Sequence, residues 1–269
     1  MREYVLGHSP TELKRLDYQS EMLRPITRRL LESAGIRPGM RVLDIGCGTG
    51  GVSLLAAELV GPTGSVTAID RSGAAIETAS GHAAEAGLDN LRFEVCALDQ
   101  LQAAHEFDIV VGRYVLSHQP DATAFLQLAA RFVRPGGALG FHEPDLVRQT
   151  GSSPSVALWD TIVREVLERC QHGSATYDVA RRLVQAFAVA GLPTPTMSYE
   201  IPLGGGPASP LCSWLAQSLR TLSGGAQHTE LASGETVDLD QLSADLQRAL
   251  LDAQAQVEFP GQVCAWIRL

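Results

Sequence analysis

Basic clusters are scarce in this chain. Its 30 acidic residues outnumber 21 basic ones, giving a formal charge of −9, and no Lys/Arg run exceeds two residues. A field of that sign repels phosphate backbones, so nucleic acid is not expected as a partner. No apolar run reaches the ~18–20 residues that a membrane-crossing helix needs; the longest candidate, Val52 to Val60, is broken by Glu58. The opening MREYVLGHSPTELKRL lacks the apolar core of a signal peptide, and a cytoplasmic location is expected. There is no C-x-x-C pair. Cys47, Cys96, Cys170, Cys212 and Cys264 are odd in number and widely spaced, which argues against a disulfide framework or a zinc site, so no metal is expected. They read as reduced, mostly buried small residues. The absence of G-x-x-x-x-G-K-[ST] removes a P-loop.

What is present is ordinary globular material: 269 residues, 45% hydrophobic and 19% charged, enough for one large domain or a core with an added lid. The apolar spacing predicts helix over 10–34, where Pro25 could open a second helix at its first position. Strand and helix then alternate: a strand from Arg41, a helix over Gly51 to Val60, a strand over Ser65 to Asp70, and an Ala-rich helix over 73–86 closed by Gly87. Leu91 to Val95 and Phe107 to Gly112 read as strands, Ala122 to Val133 as a helix, and Ala138 to His142 as a fifth strand. Strands apolar on both faces that alternate with helices predict an α/β fold, a doubly wound, mostly parallel sheet covered on both sides. Beyond His142 the alternation lapses. Helices are expected over 154–172, 177–191, 211–222 and 237–255, with strands at Thr196 to Leu203 and Val263 to Leu269. Seven strands fit the sheet. The surplus helices at 1–34 and in parts of 145–175 and 205–255 are assigned to a cap, over a cofactor-binding core at 36–143, within a single domain.

The chemistry concentrates in Val42-Leu-Asp44-Ile-Gly46-Cys-Gly48-Thr-Gly50-Gly51. A strand must turn sharply into a helix here, and glycine permits the turn and lets a ligand lie on bare backbone. The spacing Gly46, Gly48, Gly51 also satisfies the dinucleotide fingerprint G-x-G-x-x-G. Asp44 weighs against that reading, because a carboxylate beside the glycines opposes a pyrophosphate and favours a cationic ligand. A glycine-rich turn with no ligand is the bland alternative. Asp70 ends the second strand, where a carboxylate can accept from both ribose hydroxyls of an adenosine; capping the following helix is its alternative role.

These residues resemble class I S-adenosylmethionine-dependent methyltransferases. The likeness rests on Gly39-Met-Arg-Val-Leu-Asp-Ile-Gly-Cys-Gly-Thr-Gly50, Asp70, Phe107-Asp-Ile-Val-Val and Arg134-Pro-Gly-Gly137, over about residues 36–143. Gly112-Arg-Tyr-Val-Leu-Ser-His118-Gln-Pro-Asp121 is similar to the small-molecule branch, the ubiquinone/menaquinone and natural-product enzymes. The resemblance implies a Rossmann-like methyltransferase core, S-adenosyl-L-methionine as cofactor, S-adenosyl-L-homocysteine as product and a small-molecule substrate. It implies that Asp44, Gly46, Gly48 and Gly50 hold the methionine moiety, that Asp70 holds the ribose with Arg71 beside the adenine, and that the backbone around Gly112 and Arg113 meets the methionine end. Gln19 or Tyr18, on the N-terminal helix, would touch the cofactor. Where the family often carries an acid for the adenine amino group, this chain has Ala97, so Leu98 and Asp99 become the adenine-side candidates.

Methyl transfer is an in-line displacement that needs alignment and exclusion of water, with a base only if the acceptor must lose a proton. His118, His142 and Glu143 are the catalytic candidates, placed after the fourth and fifth strands where an open sheet binds its ligands. His118 is the first choice as base, with packing beside Pro120 as its alternative. For His142 and Glu143 the alternative is a buried polar link to the cap. His8 and His172 fall in cap segments, and Tyr4, Trp159 and Trp214 are candidates to line an apolar substrate pocket. Whether the acceptor atom is O, N or C stays open, as do homodimerisation and two rival functions: a non-methylating enzyme on the same fold, such as a cyclase, and a nicotinamide-dependent oxidoreductase.

Overall fold

The computed structural model describes residues 10–102 and 106–269. The first five strands, β1 (Arg41–Ile45), β2 (Ser65–Asp70), β3 (Leu91–Val95), β4 (Phe107–Arg113) and β5 (Val133–Asp145), are joined by two later ones, β6 (Thr196–Glu200) and β7 (Gly261–Arg268). They form one sheet of order β3-β2-β1-β4-β5-β7-β6. The pairs from β3 through β5 are parallel, and β7 runs antiparallel to both β5 and β6. The doubly wound, mostly parallel seven-stranded sheet expected from the alternation is therefore present.

The two-faced apolar strands explain where the layers go. Val42, Ile109, Val111 and Ala138 project into one hydrophobic cluster, while Leu43, Ile45, Val110 and Leu139 project into another. This is the period of two, with each face needing its own cover. The helices α1 (Pro10–Ala34), α2 (Gly51–Val60), α3 (Gly73–Glu85), α4 (Ala122–Ala130), α5 (Ala157–Gly173), α6 (Leu183–Val189), α7 (Leu211–Leu222) and α8 (Leu242–Asp252) supply it. Buried residues of α1, α2, α5, α7 and α8 share the first cluster; those of α4 and α6 share the second. Helix α1 packs on α2, α7, β5 and β7, and α5, α7 and α8 pack on one another.

Several boundaries differ from expectation for identifiable reasons. Pro25 lies inside one continuous helix instead of opening a second. The roughly 3 kcal/mol that an internal proline costs is outweighed by burial of Leu23, Ile26, Leu30 and Leu31 around it. Helix α4 stops at Ala130, and the fifth strand runs from Val133 to Asp145, well past His142, because β7 pairs with it along its length, Gly261 to Asp145 and Gln262 to Pro144. The helix expected over 177–191 divides into a single 3₁₀ turn, Val179–Arg181, and α6. The strand expected from Thr196 to Leu203 ends at Glu200, before Pro202, which has no N–H for a ladder; Leu203–Gly204 then pairs with Gln256–Glu258, which also pairs with Ser152–Ser153. Residues 236–238 form a hairpin with 228–230 rather than the start of α8.

Gly64 closes the turn between α2 and β2, where a Cβ would stand 2.6 Å from the Met40 carbonyl oxygen and 2.5 Å from Val60 Cβ. Gly64→Ala is expected to destabilise the fold by about 1–3 kcal/mol, read as a lower denaturant midpoint with unchanged slope.

Candidate functional site

A cavity of about 450 Å³ runs along the carboxyl ends of β1, β2, β3 and β4, the place where open α/β sheets bind ligands. Gly46 to Thr49 form one wall, Asp70 and Arg71 the next, and Cys96 to Asp99 the third. Ala124, Phe125 and Leu128, at helical spacing on α4, close the side, and Leu16 and Gln19 of α1 also line it.

The wall at β1 is a left-handed backbone turn. Gly46, Gly48 and Gly50 have φ of +66°, +54° and +90°, values that L side chains rarely adopt. Gly50 is the N-cap of α2 and faces α3 rather than the cavity: a Cβ there would lie 3.1 Å from that of Ala79. Helix α1 presses onto the same loop, since a Cβ at Gly51 would collide with Ser20 and come within 3.0 Å of an Arg113 nitrogen.

Asp44 lies beneath this loop and is fully buried. Ser53 donates to its Oδ2 at 2.5 Å, while Oδ1 has no hydrogen-bond partner among the described residues. Burial pushes its carboxyl up to about 7, against the pull of the Ser53 hydrogen bond and the Arg113 charge. Asp44 does not line the cavity; it lies behind the loop that does. An orphaned buried oxygen on a carboxyl held near neutrality fits a ligand that brings positive charge to the loop, and is a poor match for a pyrophosphate.

Asp70 is fixed by the backbone. Its Oδ2 accepts from Gly48 N at 3.0 Å and its Oδ1 from Ser72 N at 2.9 Å, so two backbone donors orient the carboxylate at the cavity edge and leave further acceptor capacity. The helix cap itself is supplied by Ser72, whose Oγ accepts from Ala75 N. Arg71, Leu98, Asp99 and Arg113 all line the same cavity. Gln19 lines it too, whereas Tyr18 is exposed and takes no part in the wall.

His142 and Glu143 are not on the cavity wall. Because β5 continues to Asp145, both sit within the sheet, fully buried. Gln262 Nε2 donates to the Pro260 carbonyl at 2.7 Å, which turns its Oε1 toward His142 Nε2 at 2.8 Å and the Tyr114 hydroxyl at 2.7 Å. A carbonyl oxygen only accepts, so His142 carries its proton on Nε2, and its Nδ1 accepts from the Thr27 hydroxyl at 3.2 Å. Thr27 in turn accepts from Arg113 Nη1 at 3.2 Å. Burial first, then the Arg113 charge, lowers the His142 pKa to about 3, so the ring is a neutral link between α1, β5 and β7. Glu143 accepts from the backbone N–H groups of Val115 and Leu116 at 2.9 and 2.8 Å and of Ser117 at 3.3 Å. It fixes the turn after β4, and burial raises its pKa to about 7.

Tyr114, which the sequence reading passed over, is the residue this turn displays. It has φ +59°, uncommon for a side chain of its size, and no local sequence signal announces it. Together with Gln19 and His118 it also lines a second cavity, of about 80 Å³. His118 is half-buried, and burial, with the Arg15 and Arg71 guanidiniums, lowers its pKa to about 4. Trp214 belongs to the second cavity's wall, Trp159 is fully packed in the core and away from both cavities, and His172 lies exposed near the end of α5. Tyr4 and His8 lie outside the described residues.

The family described as a methyltransferase domain matches residues 36–184. Nocamycin O-methyltransferase of Saccharothrix syringae is 38% identical over 125 residues, 46% of this chain and 45% of that one. A ubiquinone biosynthesis O-methyltransferase of Thiobacillus denitrificans is 30% identical over 174 residues, 64% of this chain and 72% of its own length. The chain thus spans less than half of the nocamycin enzyme and nearly three quarters of the ubiquinone one. Among solved structures, a SAM-dependent methyltransferase from Aquifex aeolicus shares the fold with a TM-score of 0.54 at 19% identity, covering 72% of this chain and 92% of that one.

The buried neutral His142 has a pH signature. Its folded pKa of about 3 lies below the ordinary 6.5, so its contribution to stability is complete above about 6.5 and is lost as pH falls toward 3. In His142→Gln, which cannot charge, the acid limb of a plot of denaturation midpoint against pH is expected to flatten.

Proposed function

The chain belongs to the family of methyltransferase domains, and on that premise we propose that it moves a methyl group from S-adenosylmethionine to a small-molecule acceptor and releases S-adenosylhomocysteine. The family and fold imply that cofactor. The observation that carries the reading is the single cavity joining the glycine loop to Asp70 and the turn after β3, with the orphaned Asp44 oxygen beneath the loop. Both named relatives are O-methyltransferases, which favours an oxygen acceptor here.

In this reading Gly46, Gly48 and the Gly112–Arg113 backbone meet the methionine end, and Asp70 takes the ribose hydroxyls. Arg71, Leu98 and Asp99 flank the adenine. Residues 36–143 form the cofactor core of one domain, and α1 with α5, α7 and α8 forms its cap; the setting is cytoplasmic. When bound, the cofactor supplies a methyl carbon already activated by a positive sulfur. The chain's task is then to align the acceptor and keep water out. His118, at the seam of the two cavities, is neutral throughout the physiological range and can take a proton from an acceptor hydroxyl. His142 and Glu143 act at one remove, by holding Tyr114 and the turn that carries His118.

Incubation with methyl-labelled cofactor and a panel of hydroxylated metabolites tests the reading. Label must appear in a small molecule. Cofactor binding without transfer would favour a cyclase-like activity, and an absorbance change with a nicotinamide, with no heat on adding S-adenosylhomocysteine, would favour an oxidoreductase. Asp70→Ala is expected to weaken S-adenosylhomocysteine at least about tenfold, the equivalent of one charged hydrogen bond of about 1.5–3 kcal/mol; unchanged affinity by calorimetry refutes its ribose role. For a hydroxyl acceptor, kcat/KM should fall as pH drops through about 4, where His118 gains its proton, not through the ordinary histidine range. His118→Ala should lower the rate and erase that limb.

A further inference from the structure

The second cavity differs in character from the first. Leu146, Val166, Leu167, Trp214 and Phe259 supply its apolar wall, with the Trp214 and Phe259 rings 4.5 Å apart. A closed apolar cavity of about 150 Å³ takes a benzene, so about 80 Å³ admits no more than one ring, with its edge in the seam. Gln19, Tyr114 and His118 belong to both walls, so a compound seated here has one end at the first cavity.

One charged side chain, Arg15, is part of this wall, and the wall holds no carboxylate among the described residues. Taken alone, a buried guanidinium would invite an anion. Arg15 already has a carboxylate partner. Its Nε and Nη2 donate to the two oxygens of Glu12 at 2.6 Å each, and its Nη1 donates to Gln19 Oε1 at 2.7 Å. Glu12 is fully buried behind it. The bidentate face of the fork is already bonded to a carboxylate of the chain itself, so a second carboxylate entering the cavity would meet mostly apolar walls and would have to compete with Glu12 for that fork, leaving much of its own desolvation uncompensated.

We propose that the second cavity is the acceptor subsite for an uncharged, single-ring group, and that the Glu12–Arg15 pair in its wall is the element that excludes anionic rings. The proposal rests on the methyltransferase reading for the word acceptor; the selectivity of the cavity does not. Larger acceptors place one uncharged ring here and extend through the seam.

The test uses the full chain saturated with S-adenosylhomocysteine and two probes, para-fluorophenol and para-fluorobenzoate, titrated by fluorine NMR. The phenol is expected to bind at least about tenfold more tightly, as the cost of an unpaired buried carboxylate requires. Glu12→Gln keeps the shape and removes the cancelling charge, so the ratio should shift toward the benzoate by at least about tenfold. Cys170 belongs to this wall, and Cys170→Phe, which puts a ring into the cavity from α5, should abolish phenol binding while S-adenosylhomocysteine still binds. Equal or tighter benzoate binding in the parent protein overturns the proposal. So does an unshifted ratio in a folded Glu12→Gln protein, or phenol binding that survives Cys170→Phe. If Glu12→Gln does not fold, the parent ratio and the Cys170 variant still decide. Failure of S-adenosylhomocysteine to bind would overturn the assignment of the first cavity instead, and the same ratios measured without it still decide this proposal.

Discussion

The backbone between Ile45 and Gly51 turns from strand to helix through left-handed glycines, and the rest of the site is arranged around that turn. Side chains at Gly46, Gly48 and Gly50 would demand strained backbone, and at Gly51 would collide with α1. The bare loop therefore does two things at once. It leaves a cavity edge of exposed backbone, and it lets α1 come down so closely that Gln19 and Leu16 reach the same cavity. Asp44 is the electrostatic counterpart of this geometry. Stripped of water and given one hydrogen bond, it is a carboxyl whose charge is stabilised by whatever cation arrives above it.

The other half of the site is held from behind. The last strand, β7, inserts antiparallel between β5 and β6 and delivers Gln262 to a fully buried position. One amide oxygen there receives both Tyr114 and His142, and through Thr27 the chain of bonds reaches Arg113. Such a network is demanding, since any member left unsatisfied costs its full desolvation. What it secures is a tyrosine in an uncommon conformation at the boundary between two cavities. Residues from α1, β4, β5 and β7 must all be in place for that ring to stand where it does.

The presence of a doubly wound, mostly parallel sheet was legible in the sequence because its signal is local: apolar strands, glycine turns and helical spacing recur over residues 41–142. So was the glycine loop with Asp70, where residue type and position in a strand–turn–helix unit suffice. What escaped the sequence is what depends on distant partners. For His142 and Glu143 the sequence leaves open a rim position or a buried link to the cap, and only the pairing of Gly261 and Gln262 with the last residues of the fifth strand, which carries it to Asp145, decides for burial. Tyr114 has no local mark, because its conformation is imposed by Glu143 on one side and Gln262 on the other.

Gln19, Tyr114 and His118 are walls shared by both cavities, and a shared wall is a thermodynamic link. Whatever adjustment one guest imposes on these three side chains alters the affinity for the other, and by reciprocity the second guest alters the first by the same factor. Occupancy of the two chambers is then cooperative or antagonistic as a pair, with sign and size set by how much those side chains must move.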